Sequence, residues 1–366
     1  MNVTNNHFLL IFCFYISYTT NYGVKNKEIL PLHIAKWWHN EDGKVRCDLC
    51  PRKCLIGDGQ VGFCFIRKNI GGVLYSLGYS KPVAVNVDPV EKKPLFHFLP
   101  GTAILSLGTA GCNMGCMFCQ NWTISKAKAD EIESFYLPPE EVVKLALRYN
   151  CPSIAFTYNE PTIFAEYIVD TAIIAKQYGI KIVMVSNGYI SKDAFFDVYK
   201  YVDAANIDLK AIREEFYRKI TLSHLEPVKE TLIRIKELGT VWLEITNLVI
   251  PTLNDSDEEF YELSEWVLNN LGDDVPLHFT AFHPDYKLLD RPRTPPQTLM
   301  KARRIAQKVG LKYVYTGNVW YDEGSTTYCP NCGEAIIKRN WHEIEFNNLE
   351  GSRCHSCGYR ISGVFI

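Results

Sequence analysis

Charge of one sign is what this chain conspicuously lacks: 39 Lys and Arg face 41 Asp and Glu, a net of −2. The balance excludes the broad basic field that draws a protein to nucleic acid or to an anionic membrane. Long apolar runs are missing as well. Phe8 to Ile16 is an unbroken apolar run, but its nine residues fall far short of the roughly 20 that a membrane-spanning helix needs. No charged side chain occurs before Lys25, so the run has no basic flank, and no small-residue cleavage site follows it. We read residues 1–30 as an apolar extension that contributes little, with a signal, an anchor or a targeting segment as the other readings.

Cysteine, by contrast, is abundant, and its grouping argues against a disulfide framework. The thirteen cysteines fall into three tight sets, with only Cys13 and Cys151 left over. Tight C-x2-C and C-x3-C spacings suit metal chelation, which places the chain in a reducing, cytoplasmic compartment. A hydrophobic content of 47% with 13% aromatics is ample for a sizeable core, and the length suggests two or three domains.

The middle set carries the chemistry. Cys112, Cys116 and Cys119 share one Gly-rich loop behind the apolar run Ala103 to Leu107, and each can bind a different iron of a [4Fe-4S] cube. The fourth iron is then open, as expected of a metal centre that works on a ligand. Phe118, next to the last thiol, fits that reading. The competing readings are a zinc site short of one ligand and a redox pair made from Cys116 and Cys119.

The outer sets look closed. Cys47, Cys50, Cys54 and Cys64 can hold zinc or an auxiliary iron–sulfur cluster, with a structural metal as the plainer reading. Cys329-Pro-Asn-Cys332-Gly and Cys354-His-Ser-Cys357-Gly are paired knuckles that bring four thiolates to one structural zinc. The expected divisions are a Cys-rich module over 31–100, a core over 101–320 and a zinc ribbon over 321–366.

Within the core, strand-like runs alternate with amphipathic helical stretches about six times, the pattern of βα units around a parallel sheet. Strands are expected at 103–107, 153–157, 181–186, 204–208, 241–249, 277–281 and 313–316. Each ends on a polar or Gly/Pro-rich turn, among them Tyr158-Asn-Glu-Pro161, Asn187-Gly-Tyr189 and Asp208-Leu-Lys210. Endings of this kind, in register with the cysteine loop, point to one shared site at the carboxyl ends of the strands. His97 reads as packing; His278 and His283 are weaker candidates for the substrate.

With those residues in view, the chain resembles the radical S-adenosylmethionine (SAM) enzymes, whose signature matches Cys112, Cys116 and Cys119 with Phe118. Glu91-Lys-Lys-Pro-Leu-Phe-His-Phe98, Thr157-Tyr-Asn-Glu-Pro161, Asp208-Leu-Lys210 and the terminal knuckles together resemble the radical enzyme of the AmmeMemoRadiSam system, a subgroup similar to pyruvate formate-lyase activating enzymes. The resemblance covers residues 31–366. It implies an α/β fold built on a partial (β/α)6, TIM-like barrel. It also implies a [4Fe-4S] cluster whose open iron chelates SAM, and reductive cleavage to a 5′-deoxyadenosyl radical that abstracts hydrogen from a substrate. By position, Glu160 matches the residue that meets the SAM amino group, Ser186 and Asn187 the ribose side, and Asp208 and Lys210 the methionine carboxylate. The chain has Tyr158 and Asn159 where activating enzymes more often carry two glycines. Implied partners are a reductant such as flavodoxin or ferredoxin, a protein substrate such as a glycyl-radical enzyme, and Memo- or AMMECR1-type proteins. A metal-stapled binding protein that does no chemistry is the reading from another class.

Overall fold

The computed structural model describes residues 32–365, so the extension expected over 1–30, Cys13 included, lies outside the described residues. Eight strands form the central sheet: β1 (Ala84–Pro89), β2 (Ala103–Gly108), β3 (Ser153–Phe156), β4 (Lys181–Ser186), β5 (Ala204–Asp208), β6 (Trp242–Val249), β7 (Leu277–Ala281) and β8 (Val314–Gly317). They lie in sequence order. β2 to β8 are all parallel, and β1 adds antiparallel to β2. Each of the six crossovers from β2 to β8 carries a helix: α1 (Pro139–Arg148), α2 (Ala165–Gln177), α3 (Lys192–Tyr199), α4 (Glu226–Leu238), α5 (Asp257–Leu271) and α6 (Pro296–Val309). This is the expected partial barrel with six βα units.

Local chemistry explains the elements. Every residue of β3 and of β7 is buried, the two-faced burial of a parallel sheet; β7 still alternates Leu, His, Phe, Thr and Ala, its His278 paired inside with Glu244. α1 starts with Pro139 and carries Glu140 and Glu141 in its first turn, where negative charge meets the positive end of the helix dipole. Ser256 caps α5 by accepting from Glu259 N at 3.1 Å, and α4 stops at Gly239 with φ 65°, a left-handed ending that glycine adopts freely. The helix expected to run unbroken from Pro161 is instead a 3₁₀ turn, Pro161–Phe164, leading into α2.

The sheet does not close on itself, since β1 and β8 are its unpaired edges. The stretch after β1 plugs the bottom: Val90, Leu95, Phe98 and Leu99 pack against Ile104, Ala155, Val183 and Ala204. The C-terminal ribbon is stitched to this plug. Leu99 N donates to Val364 O at 2.7 Å, Val364 N returns a bond to His97 O at 2.7 Å, and Arg339 donates to Phe96 O at 2.7 Å. His97 is fully buried between Ser362 O and Tyr315 Oη, the packing role expected of it. Burial lowers its pKa to about 4.

The first Cys-rich stretch forms two small three-stranded sheets whose Val45, Ile56, Ile66 and Leu74 join the same core as the barrel. Its strongest tether is a buried ion pair. Arg67 meets both Glu166 oxygens on α2, at 2.7 and 2.8 Å, and also donates to Ile163 O. Residues from Leu32 onward consequently form one compact unit. Among the described residues no helix is long and apolar enough to cross a membrane.

Removing one partner of such a pair strands the other charge in the interior. Glu166→Ala should lower unfolding stability by about 3–5 kcal/mol, read from the denaturant midpoint, while the double replacement Arg67→Met/Glu166→Met should recover most of it. A midpoint unmoved by Glu166→Ala would show that the tether contributes nothing.

Candidate functional site

The loop after β2, residues 109–121, carries Cys112, Cys116 and Cys119, and its backbone bonds almost entirely to other parts of the chain. Gly115 N and Met117 N donate to Thr221 O and Ile220 O, at 2.8 and 3.0 Å, in the π-type turn Tyr217–Thr221. Gly111 has φ 84°, and a Cβ there would lie 2.0 Å from Cys64 O, so only glycine lets the loop pass the first module. Side chains complete the hold. Asn159 accepts from Thr109 N at 3.2 Å and donates to Gly111 O at 2.8 Å; Lys126 donates to Met114 O at 2.8 Å; Arg52 donates to Asn113 O and Leu222 O.

Cys116 is buried, and Cys112 and Cys119 are partly exposed. Burial pushes the Cys112 and Cys116 thiols up. Met114 N donates to Cys112 Sγ at 3.4 Å and Asn187 Nδ2 lies 3.9 Å from the same sulfur.

Sulfur spacing separates the three cysteine sets. Among the described residues, only Cys329, Cys332, Cys354 and Cys357 bring their ligand atoms within 4.8 Å of one another. Their contacts of 3.6 and 3.8 Å match the roughly 3.8 Å edge of a tetrahedron of sulfurs about 2.3 Å from one ion. Cys112, Cys116 and Cys119 are not such a group, alone or with a described carboxylate or imidazole; three thiols on one loop without a fourth protein ligand suit a cube that gives each thiol its own iron. The donor set fits a [4Fe-4S] cluster with one open iron.

At the end of β3, Glu160 is fully buried. It accepts from Thr162 N at 2.8 Å, Ser186 Oγ at 2.7 Å and Asn187 N at 2.8 Å. Oε1 takes two of these bonds and Oε2 one, so protein donors hold the carboxylate on both oxygens. It ties the end of β3 to the end of β4. Ser186 and Asn187 are likewise engaged: Gly188 N donates to Ser186 Oγ at 3.1 Å, and Asn187 Nδ2 donates to Asn113 Oδ1 at 2.9 Å on the cysteine loop. Asp208 and Lys210 pair at 2.8 Å at the end of β5, with Lys210 Nζ 5.7 Å from the centre of the Phe118 ring. Burial alone would lower the Lys210 pKa, but Asp208 and Cys116 beside it outweigh that and raise it. The side chains expected from the strand endings therefore converge on the cysteine loop.

Tyr158 takes φ 69°, the left-handed conformation that glycine would adopt freely and that costs other residues about 1–2 kcal/mol. Its hydroxyl donates to Asp88 Oδ2 at 2.7 Å, and Lys93 Nζ, 2.6 Å from the same oxygen, lies 4.6 Å from its ring centre. Asp88, Lys93 and Glu244 were not apparent from the sequence. Glu244, fully buried, accepts from Phe96 N, His97 N, Trp242 Nε1 and His278 Nε2. His278 is thereby fixed as a buried partner of Glu244, and His283 contacts only its neighbour Pro284 O, at 3.3 Å.

Comparison with known proteins agrees with this geometry. Residues 106–264 match the family described as the radical SAM superfamily. The chain is 49% identical, over 88% of its own length and 97% of the relative's, to Uncharacterized protein MJ0808 of Methanocaldococcus jannaschii. It is 24% identical, over 49% of its length and 80% of the relative's, to a pyruvate formate-lyase-activating enzyme of Clostridium pasteurianum. A crystal structure of a radical SAM methyltransferase from Sphaerobacter thermophilus superposes with TM-score 0.47 at 16% identity, over 61% of this chain and 68% of that one. The three-thiol loop at the carboxyl end of a partial barrel and the family match converge on one conclusion: this chain belongs to the radical SAM superfamily.

Proposed function

We propose that the chain binds a [4Fe-4S] cluster through Cys112, Cys116 and Cys119 and reductively cleaves SAM at its open iron. The observation that carries this reading is the set of three thiols, Cys112, Cys116 and Cys119, on a loop anchored to the strand ends and matched by the radical SAM family. Held by these three thiols, a reduced [4Fe-4S] cluster would supply the electron needed for reductive cleavage of SAM. The chain's own residues hold and place. Lys210, paired with Asp208, offers a cation to the methionine carboxylate. Asn187 packs its amide against the Cys112 sulfur, Phe118 backs the loop under Lys210, and Glu160 keeps Ser186 and Asn187 in place.

The C-terminal thiols hold structural zinc in this reading, as their tetrahedral spacing supports. For Cys47, Cys50, Cys54 and Cys64 the reading keeps a structural metal ahead of an auxiliary iron–sulfur cluster. Kinship with proteins named as activating enzymes, from Clostridium pasteurianum and, for 4-hydroxyphenylacetate decarboxylase, Clostridium scatologenes, supports a flavodoxin or ferredoxin as reductant. It also supports a protein substrate, with a glycyl-radical loop as the specific alternative. The AmmeMemoRadiSam assignment, with Memo- and AMMECR1-type partners, stays a proposal resting on the sequence motifs.

Anaerobically purified protein should lose about four irons per chain in a Cys112/Cys116/Cys119→Ala variant, keep its zinc, and form no 5′-deoxyadenosine with dithionite and SAM. Retention of all iron would move the centre to the first module. Under the activase alternative, a deuterated glycyl-radical loop should pass deuterium into 5′-deoxyadenosine; the absence of transfer from such loops would count against it.

A further inference from the structure

A hollow of about 380 Å³ opens to solvent beside the cysteine loop. Three parts of the chain line it: Arg52 from the first module, Tyr189 from the turn after β4, and Arg218, Leu222 and His224 from the π-type turn after β5 and its exit. Arg218 is exposed, Leu222 is 50% exposed and the His224 side chain 60%, so a partner can reach all three.

Charge in the hollow is of one sign. Among the described residues no carboxylate lines it. Arg52 spends its guanidinium on two carbonyls, Asn113 O and Leu222 O, and lies 3.5 Å from the centre of the Phe63 ring; neither kind of contact cancels its charge. The carboxylates just before the turn are occupied elsewhere, Glu214 by His224 Nδ1 at 2.7 Å and Leu225 N at 2.8 Å, and Glu215 by Lys219. Arg52 and Arg218 therefore present positive charge on a chain whose net is −2.

The same residues are the anchor of the cluster loop. Arg52 holds Asn113 O, next to Cys112. Thr221 O and Ile220 O receive Gly115 N and Met117 N, on either side of Cys116. Leu222 covers Gly115 so closely that a Cβ there would lie 2.7 Å from Leu222 Cδ1. Leu222 also has φ 52°, a left-handed backbone that costs a side-chain-bearing residue about 1–2 kcal/mol. An apolar residue held in that conformation and half exposed is the kind of local strain that collects at functional sites.

We propose that this hollow docks the electron donor, a small protein with an acidic face around its redox cofactor. The acidic face meets Arg52 and Arg218, which steer and orient it, and Leu222 supplies the apolar contact between them. One electron passes from the carrier's reduced cofactor to the cluster by way of Leu222 and Gly115, with no bond made or broken. Through Arg52 the first module becomes part of the docking face, and does more than hold a metal. The proposal rests on the radical SAM reading for the electron's destination; the docking itself is independent of it.

Surface plasmon resonance on the metal-loaded protein under anaerobic conditions tests it, with an acidic bacterial flavodoxin and an acidic bacterial ferredoxin as probes. At least one should bind saturably, about tenfold more weakly when salt is raised from about 0.02 to about 0.2 M. Arg218→Glu should weaken that binding about tenfold and slow 5′-deoxyadenosine formation driven by the carrier. It should leave unchanged the melting temperature and the formation driven by dithionite, a small reductant that needs no docking face. Lys308→Glu, the same charge change on α6, should do none of this. No saturable binding by either carrier, binding indifferent to salt or to Arg218→Glu, an equal loss in Lys308→Glu, or a matching loss of the dithionite-driven reaction in Arg218→Glu would overturn the proposal. Binding with the expected pattern in a protein that forms no 5′-deoxyadenosine with dithionite would uphold the docking face and overturn the radical SAM reading instead.

Discussion

A loop that must hold three thiols apart cannot bond to itself, and the rest of the structure meets that constraint. Residues 109–121 make their backbone bonds to the turn at 217–221, to Asn159 and to Lys126 and Arg52. Asn159 can serve only because Tyr158 before it accepts a left-handed backbone and Glu160 after it is locked to β4. One strand ending thus supports the cluster loop on one side and the Ser186–Asn187 turn on the other. The buried carboxylate is affordable because three donors replace the water it loses.

The second constraint is the open sheet. Seven parallel strands with one antiparallel addition leave two edges, and an unpaired edge calls for cover. The plug at 90–99 and the ribbon supply it together. Glu244, with four donors on one carboxylate, fastens the plug to β6 and β7, and although burial alone would raise its pKa, those donors hold it below the usual carboxylate range. The compact C-terminal thiols lie in an element bonded to the plug, whereas Cys112, Cys116 and Cys119 lie at the strand ends where chemistry is possible.

Much of this was legible in the sequence because the parallel strands are buried on both faces and stand out as apolar runs; the seven predicted strands all lie within a residue or two of their observed positions. β1 escaped notice because Ala-Val-Asn-Val-Asp-Pro alternates weakly and ends beside a proline-rich turn. The cysteine spacings picked out three sets, but only sulfur positions in space mark the C-terminal one as compact. Glu160 was found for its place in a motif, yet its partners Ser186 and Asn187 arrive from another strand, and no pattern along the chain announces that pairing. Asp88, Lys93, Glu244 and Arg339 escaped for the same reason: each is buried against groups dozens to hundreds of residues away.

The most direct test is the electron paramagnetic resonance spectrum of the dithionite-reduced protein with and without SAM. A cluster held by three thiols has an iron free to take the ligand, so its g-values should shift when SAM is added, while any signal from the first module stays fixed. A reduced cluster signal that SAM leaves unchanged would contradict an open iron on the loop of Cys112, Cys116 and Cys119.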